Sequence, residues 1–165
     1  LFIEHKLLYS HKVLDISKDL EDFNFQSRGD NYPAYLLQSE YPASVTIASY
    51  GYNLDMILEA ARELSINHEI FCDIVIFTQL SPFNLNILVD SLKSTRKLLT
   101  VEEGTLTMGW GTEIIARVIQ MTNIKAAKRI AARDLPIANA KSLEEKILPS
   151  VDDVVQAVID LYSYQ

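Results

Sequence analysis

From Ala34 onward, apolar and polar positions alternate between a two-residue rhythm and a three-to-four-residue rhythm. The runs AYLLQSE (34–40) and VTIASYG (45–51) read as strands, separated by the turn Tyr41-Pro42-Ala43-Ser44. A turn this short favours antiparallel neighbours and leaves a longer-range pairing open. A helix follows, with Asn53 at its cap, Asp55 in its first turn, and a stripe of Leu54, Ile57, Leu58, Ala61 and Leu64 before Asn67. The run EIFCDIVIFTQL (69–80) is apolar on both faces at its centre, as a strand covered on both sides would be. Ser81-Pro82 breaks it, and Asn84 opens a helix carrying Leu85, Leu88, Val89 and Leu92.

KLLTVEEG (97–104) is the next strand. A glycine-rich turn leads into a helix with Ile114, Ile115, Val118 and Ile119 on one face. KAAKRIAARD (125–134) reads as the last strand. Two helices close the chain, with capping-box patterns at Ser142/Glu145 and Ser150/Asp153, and the final one buries Val151, Val154, Val155, Val158 and Ile159. Strands alternating with helices predict an α/β domain, a mostly parallel sheet sandwiched between helices.

The first 33 residues are different in character. LFIEHKLLY (1–9) is apolar and strand-like, and it opens without a turn or cap, which suggests a piece cut from a longer chain. Residues 10–33 are polar, mixed in charge and end in Gly29, Asp30, Asn31 and Pro33, so they read as a linker with room for a short helix.

Composition narrows the function classes. Hydrophobic residues make up 48% of the 165 and charged residues 22%, the balance of a globular domain. No apolar run approaches the ~20 residues of a membrane span, and no signal peptide is visible. The net charge of −7, with Lys and Arg scattered, argues against a nucleic-acid surface. Cys72, the only cysteine, excludes an internal disulfide and fits a reducing cytoplasm.

Candidate chemistry is sparse. Gly104 and Gly109 have phosphate-loop spacing, but Trp110 and Gly111 stand where Lys and Ser or Thr are needed. Ile114 takes the third glycine's place in a dinucleotide fingerprint. The amides opening this helix could hold an anion, although a tight strand-to-helix turn explains the glycines better. Glu102 and Glu103 should point to opposite faces and read first as a polar strand end, with one of them free to cap a helix or to pair across an interface. His5, His11 and His68 lack metal-ligand spacing, Ser49 and Ser81 lack a nucleophile elbow, and Cys72 reads as core. No catalytic, cofactor-binding or metal-binding residue is therefore assigned. Tyr50, Tyr52, Met108 and Trp110 lie at strand ends that form one edge of a parallel sheet, where they would cluster as a lid or as an interface.

The order VTIASYG, an EAA-containing helix, IVIFTQLSPFN, LLTVEEG, MGWGTEIIARV and ARDLPIANAKSLEEKILPSVDDVVQAV resembles the C-terminal domain of the beta subunit of thiamine diphosphate-dependent 2-oxo acid dehydrogenases, of the pyruvate or acetoin type. The opening IEHKLLY resembles the last strand of the preceding pyrimidine-binding domain. The resemblance implies a three-layer α/β/α domain, residues 34–165, on a mixed five-stranded sheet with 34–40 running against the other strands. It implies thiamine diphosphate and magnesium in the parent enzyme, with none bound by this chain. The activating glutamate of the cofactor would lie on the domain before Leu1.

The resemblance also implies partners: further copies of this domain, an alpha subunit or fused alpha portion, and a lipoyl acyltransferase. Docking in the family uses the terminal carboxylate, here near Tyr164 and Gln165, and an acid before the last strand. Thr122-Asn123-Ile124-Lys125 supplies no such acid, and Met108 replaces the first of a usual glycine pair. The interface candidates are Tyr50, Tyr52, Glu102, Glu103, Met108, Trp110, Tyr164 and Gln165. The function implied is subunit assembly and partner docking in oxidative decarboxylation of a 2-oxo acid with acyl transfer to lipoyl, in the cytoplasm or mitochondrial matrix. Two alternatives stand beside it: a free-standing α/β domain binding an anion or nucleotide at the Gly104–Gly111 turn, and the C-terminal domain of a transketolase or deoxyxylulose-phosphate synthase.

Overall fold

A computed structural model describes residues 1–164. It contains strands β1 (Phe23–Arg28), β2 (Ala34–Ser39), β3 (Val45–Tyr50), β4 (Cys72–Phe77), β5 (Lys97–Thr105) and β6 (Ala126–Ala132). Its helices are α1 (Ile16–Asp19), α2 (Leu54–His68), α3 (Asn86–Thr95), α4 (Trp110–Met121), α5 (Lys141–Glu144) and α6 (Val151–Ser163). The six strands form one sheet in the order β1-β2-β4-β3-β5-β6. β2 is antiparallel to both its neighbours and the remaining pairs are parallel, so 34–40 is the reversed strand, as expected.

Alternation along the strands sends side chains to two cores. Ile47, Ile74, Leu99 and Val101 face α2 and α6, whose Ile57, Leu64, Val154 and Val158 cover them. Ala48, Val75, Phe77 and Leu98 face α3 and α4, covered by Leu88, Leu92, Ile114 and Val118. β4 is buried along its whole length, as its unbroken apolar run requires. Of the expected helical stripes, Ile119 is exposed, because α4 turns it away from the sheet.

Several expectations change. The sheet has six strands rather than five, the additional one being β1, which lies within the polar stretch 10–33. Phe23 and Phe25 pack partly against the core while the intervening residues face solvent, and Gly29, with a φ of 115°, turns the chain back into β2. The favoured pairing of 34–40 with 45–51 does not form, and the longer-range alternative does. β4 stands between β2 and β3, because a strand apolar on both faces is satisfied only at the sheet's centre. The connecting turn passes under the start of β4, with the Ser44 amide donating to the Phe71 carbonyl at 2.8 Å and Tyr41 stacked on Phe71 at 4.6 Å.

Residues 1–9 form no strand. A strand needs a neighbour, and no sheet edge reaches them; a 3-10 turn spans Lys6–Ser10 instead. The capping box at Ser142 is also absent, because α5 starts at Lys141 with Ala140 at its cap, which places Ser142 inside the first turn. Its counterpart forms: Ser150 and Asp153 exchange side-chain and backbone bonds at the start of α6. Asn53 occupies its cap position without a side-chain cap bond, and the Asn84 carboxamide accepts from the Asn86 amide at 3.0 Å.

Candidate functional site

The carboxyl ends of β3, β4 and β5 converge on the start of α4. There Glu102, only 1% exposed, accepts from the Trp110 amide at 2.7 Å and the Gly111 amide at 2.8 Å. The Arg129 guanidinium on β6 reaches the same carboxylate at 3.2 Å. Glu102 therefore caps the positive end of α4 from inside the domain, one of the roles the sequence left open, and its burial overturns the plainer reading as a polar strand end.

Glycine is required at both positions around it. A Cβ at Gly111 would stand 2.3 Å from Thr100 Oγ1 and 2.9 Å from Glu102 Oε1. One at Gly109 would meet the Thr105 carbonyl oxygen at 2.5 Å and both Arg129 and Glu102 at 2.7 Å. A diphosphate placed at this turn would have to displace Glu102 and face its charge. The turn therefore does not fit the diphosphate of a thiamine cofactor or of a nucleotide.

Glu103 points to the other face, as alternation requires, and meets His5 Nε2 at 3.2 Å. His5 stacks on Tyr52 with ring centroids 4.7 Å apart, and His11 approaches the same ring edge-on at 5.4 Å. His11 Nδ1 lies 3.0 Å from Asp55. The N-terminal segment is thus strapped across Tyr52 by two histidine–carboxylate pairs. His68 stands apart, exposed at the end of α2.

The aromatic candidates divide. Trp110 meets Tyr50 edge-on at 5.1 Å, together with Phe77 at 5.5 Å and Phe83 at 6.4 Å. Tyr52 belongs to the histidine strap instead. Met108 stands free of both at 95% exposure, on a backbone with a φ of 60°, the left-handed region that favours glycine. Burial first, then the charges of Glu102 and Glu103, push the Tyr50 phenol above its ordinary value. Tyr164 is exposed at the opposite end of the sheet, since Lys97, the first residue of β5, donates to the Tyr162 carbonyl at 2.9 Å. Gln165 lies outside the described residues.

Cys72 is buried in β4, and burial, with Asp73 adding to it, pushes its thiol up to about 12. Ser49 donates to the Val101 carbonyl at 2.6 Å, a core contact rather than an activated hydroxyl. Besides Arg129, sequence reasoning missed Asp73. It accepts from Ser91 at 2.7 Å and from the Ser39 amide at 3.1 Å, joining β4 to α3 and to the end of β2. Its only signal was an acid at the head of an apolar run.

An α/β/α domain with a reversed second strand and a carboxylate-capped helix at its sheet edge defines the class of protein. The family model described as "Transketolase, C-terminal domain" matches residues 36–154, and the chain belongs to that family. It is 30% identical over 161 residues to the pyruvate dehydrogenase E1 component subunit beta of Rickettsia conorii, covering 96% of this chain and 46% of that protein. The corresponding mitochondrial subunit of Saccharomyces cerevisiae is 25% identical over 169 residues, covering 100% of this chain and 44% of the relative. The chain thus spans less than half the length of these relatives. A solved structure of a split gene transketolase, an inactive beta4 tetramer, aligns with a TM-score of 0.64 at 27% identity, over 75% of this chain and 40% of that one.

Proposed function

We propose that this chain is the subunit-assembly and partner-docking domain of the decarboxylating component of a thiamine diphosphate-dependent 2-oxo acid dehydrogenase. The parent enzyme would decarboxylate a 2-oxo acid such as pyruvate and pass the acyl group to lipoyl. Residues 1–9 would end a preceding pyrimidine-binding domain, and thiamine diphosphate with magnesium would be held outside this chain. Partners would be further copies of the domain, an alpha subunit or fused alpha portion, and a lipoyl acyltransferase. The setting would be bacterial cytoplasm or the mitochondrial matrix.

One observation carries the reading. Glu102 takes up the amides that a ligand would need, and the turn it fixes holds Met108 out at 95% exposure beside Trp110. An exposed Met two residues from a half-buried Trp, on a turn fixed from within, suits a protein partner. The measurement is sedimentation velocity across a concentration series. The chain is expected to self-associate, and Met108→Glu to shift it towards monomer. A wild-type chain that stays monomeric at high concentration would count against assembly through this edge. Tight binding of thiamine diphosphate by the chain alone, measured by calorimetry, would count against the division of labour.

A transketolase-type parent is the second reading, favoured by the likeness to the split gene transketolase. With the chain joined to the remaining domains of the proposed parent, 2-oxo acid decarboxylation supports the first reading and ketol transfer between sugar phosphates supports the second.

A further inference from the structure

The edge of the sheet farthest from β1 carries a feature that the assembly reading does not use. β6 pairs with β5 on one side and, among the described residues, with no strand on the other. Beside it runs a groove of about 640 Å³ bounded by β6, the segment 145–149 and α6. Ile130, Ala131, Ile147, Leu148 and Pro149 give it an apolar lining. The Arg133 amide donates to the Ile147 carbonyl at 3.0 Å, which fixes the far wall.

Exposed edges are commonly guarded by charges that repel an incoming strand. Here both edge cations are turned onto the domain: Lys128 bonds Asp160 and Arg129 bonds Glu102. Asp160 also accepts from Gln156, and Asp153 is held in its capping box with Ser150. Glu145 faces Lys141 at 3.8 Å. Two groove cations remain, Arg133 and Lys146, and among the described residues neither has a carboxylate within 4.0 Å. Both side chains are exposed.

We propose that this groove binds an extended, acidic peptide segment of a partner protein, which adds to the sheet along β6 and places carboxylates on Arg133 and Lys146. Backbone pairing supplies affinity in this mode, and side chains at alternate positions supply selectivity. The lining accepts apolar residues and the two free cations select acidic ones. A second copy of this chain is a poorer occupant, because β6, with sequence AAKRIAA, offers no carboxylate to either cation. The proposal is independent of the assembly reading and of the edge that carries Met108.

The test uses a fluorescein-labelled peptide of alternating Glu and Val, its Lys-for-Glu counterpart, and a version N-methylated at alternate amides. Binding is followed by fluorescence anisotropy, and hydrogen exchange is followed at the amides of Lys128–Ala131. The acidic peptide is expected to bind and to slow exchange at those amides. Arg133→Glu with Lys146→Glu should weaken it by about tenfold or more, and the two Gln substitutions by less. The N-methylated peptide should not bind. Absence of binding by the acidic peptide, equal binding of the Lys counterpart, or binding that leaves exchange in β6 unchanged would each overturn the proposal.

Discussion

At the residue scale, Glu102 concentrates most of the site's physics. Two amides and a guanidinium converge on a carboxylate almost without solvent contact. Removing one partner of such a buried set leaves the others unpaired, at a cost of about 3–5 kcal/mol. Glu102→Ala is therefore expected to lower the urea midpoint by that equivalent, and Glu102→Gln, which keeps an acceptor, by less. Its orientation was legible from strand alternation, whereas Arg129 was not, because that partner arrives from a strand far along the chain. Asp73 carries a second expectation. Burial raises its carboxyl above the usual 3.8, against the opposing bonds from Ser91 and Ser39. The stability tied to the protonated form is complete below that value and is lost as pH rises through the folded-state value. Urea titrations across pH are expected to show wild-type stability falling relative to Asp73→Asn as pH rises.

Whole elements were legible wherever one rhythm persisted. α2, α4 and α6 each turn inward the stripe their spacing announces, with Leu54, Ile115, Val151 and Ile159 half-buried and Ile119 alone exposed. β1 was hidden because an edge hairpin needs only Phe23 and Phe25 turned inward, and two residues are too few to declare a period. The position of β2 was hidden for another reason. Turn length describes the connection, while the insertion of β4 between β2 and β3 follows from what β4 must have on either side. The two capping patterns show how local context decides. Ser150 precedes a helix of 13 residues that repays the cap, and Ser142 falls inside one of 4. Ser150→Ala is expected to cost about 1 kcal/mol in thermal or urea unfolding. Ser142→Ala should cost much less.

For the molecule as a whole, the contacts of the first eleven residues matter most. Their apolar side chains, among them Leu1, Phe2, Ile3 and Tyr9, face outward, while His5 and His11 fasten the segment to Tyr52, Glu103 and Asp55. This polarity could not be read from LFIEHKLLY, whose composition announces a strand; the decisive partners lie on β5, in the turn before α2 and on α2. Tyr52→Ala is expected to free the segment, seen as faster tryptic cleavage at Lys6 and Lys12 with the remainder of the domain intact. Unchanged cleavage would show that the ring does not hold it.

The reversed strand has a consequence in time as well as in space. β2 pairs with β1 directly but joins the rest of the sheet only through β4, which is made later on the ribosome than everything from Phe23 to Tyr50. The hairpin of β1 and β2 leaves first yet has no place to settle until Phe77 has emerged. During synthesis, the earliest strands of this domain must wait as an unplaced flap for the centre of their own sheet to arrive.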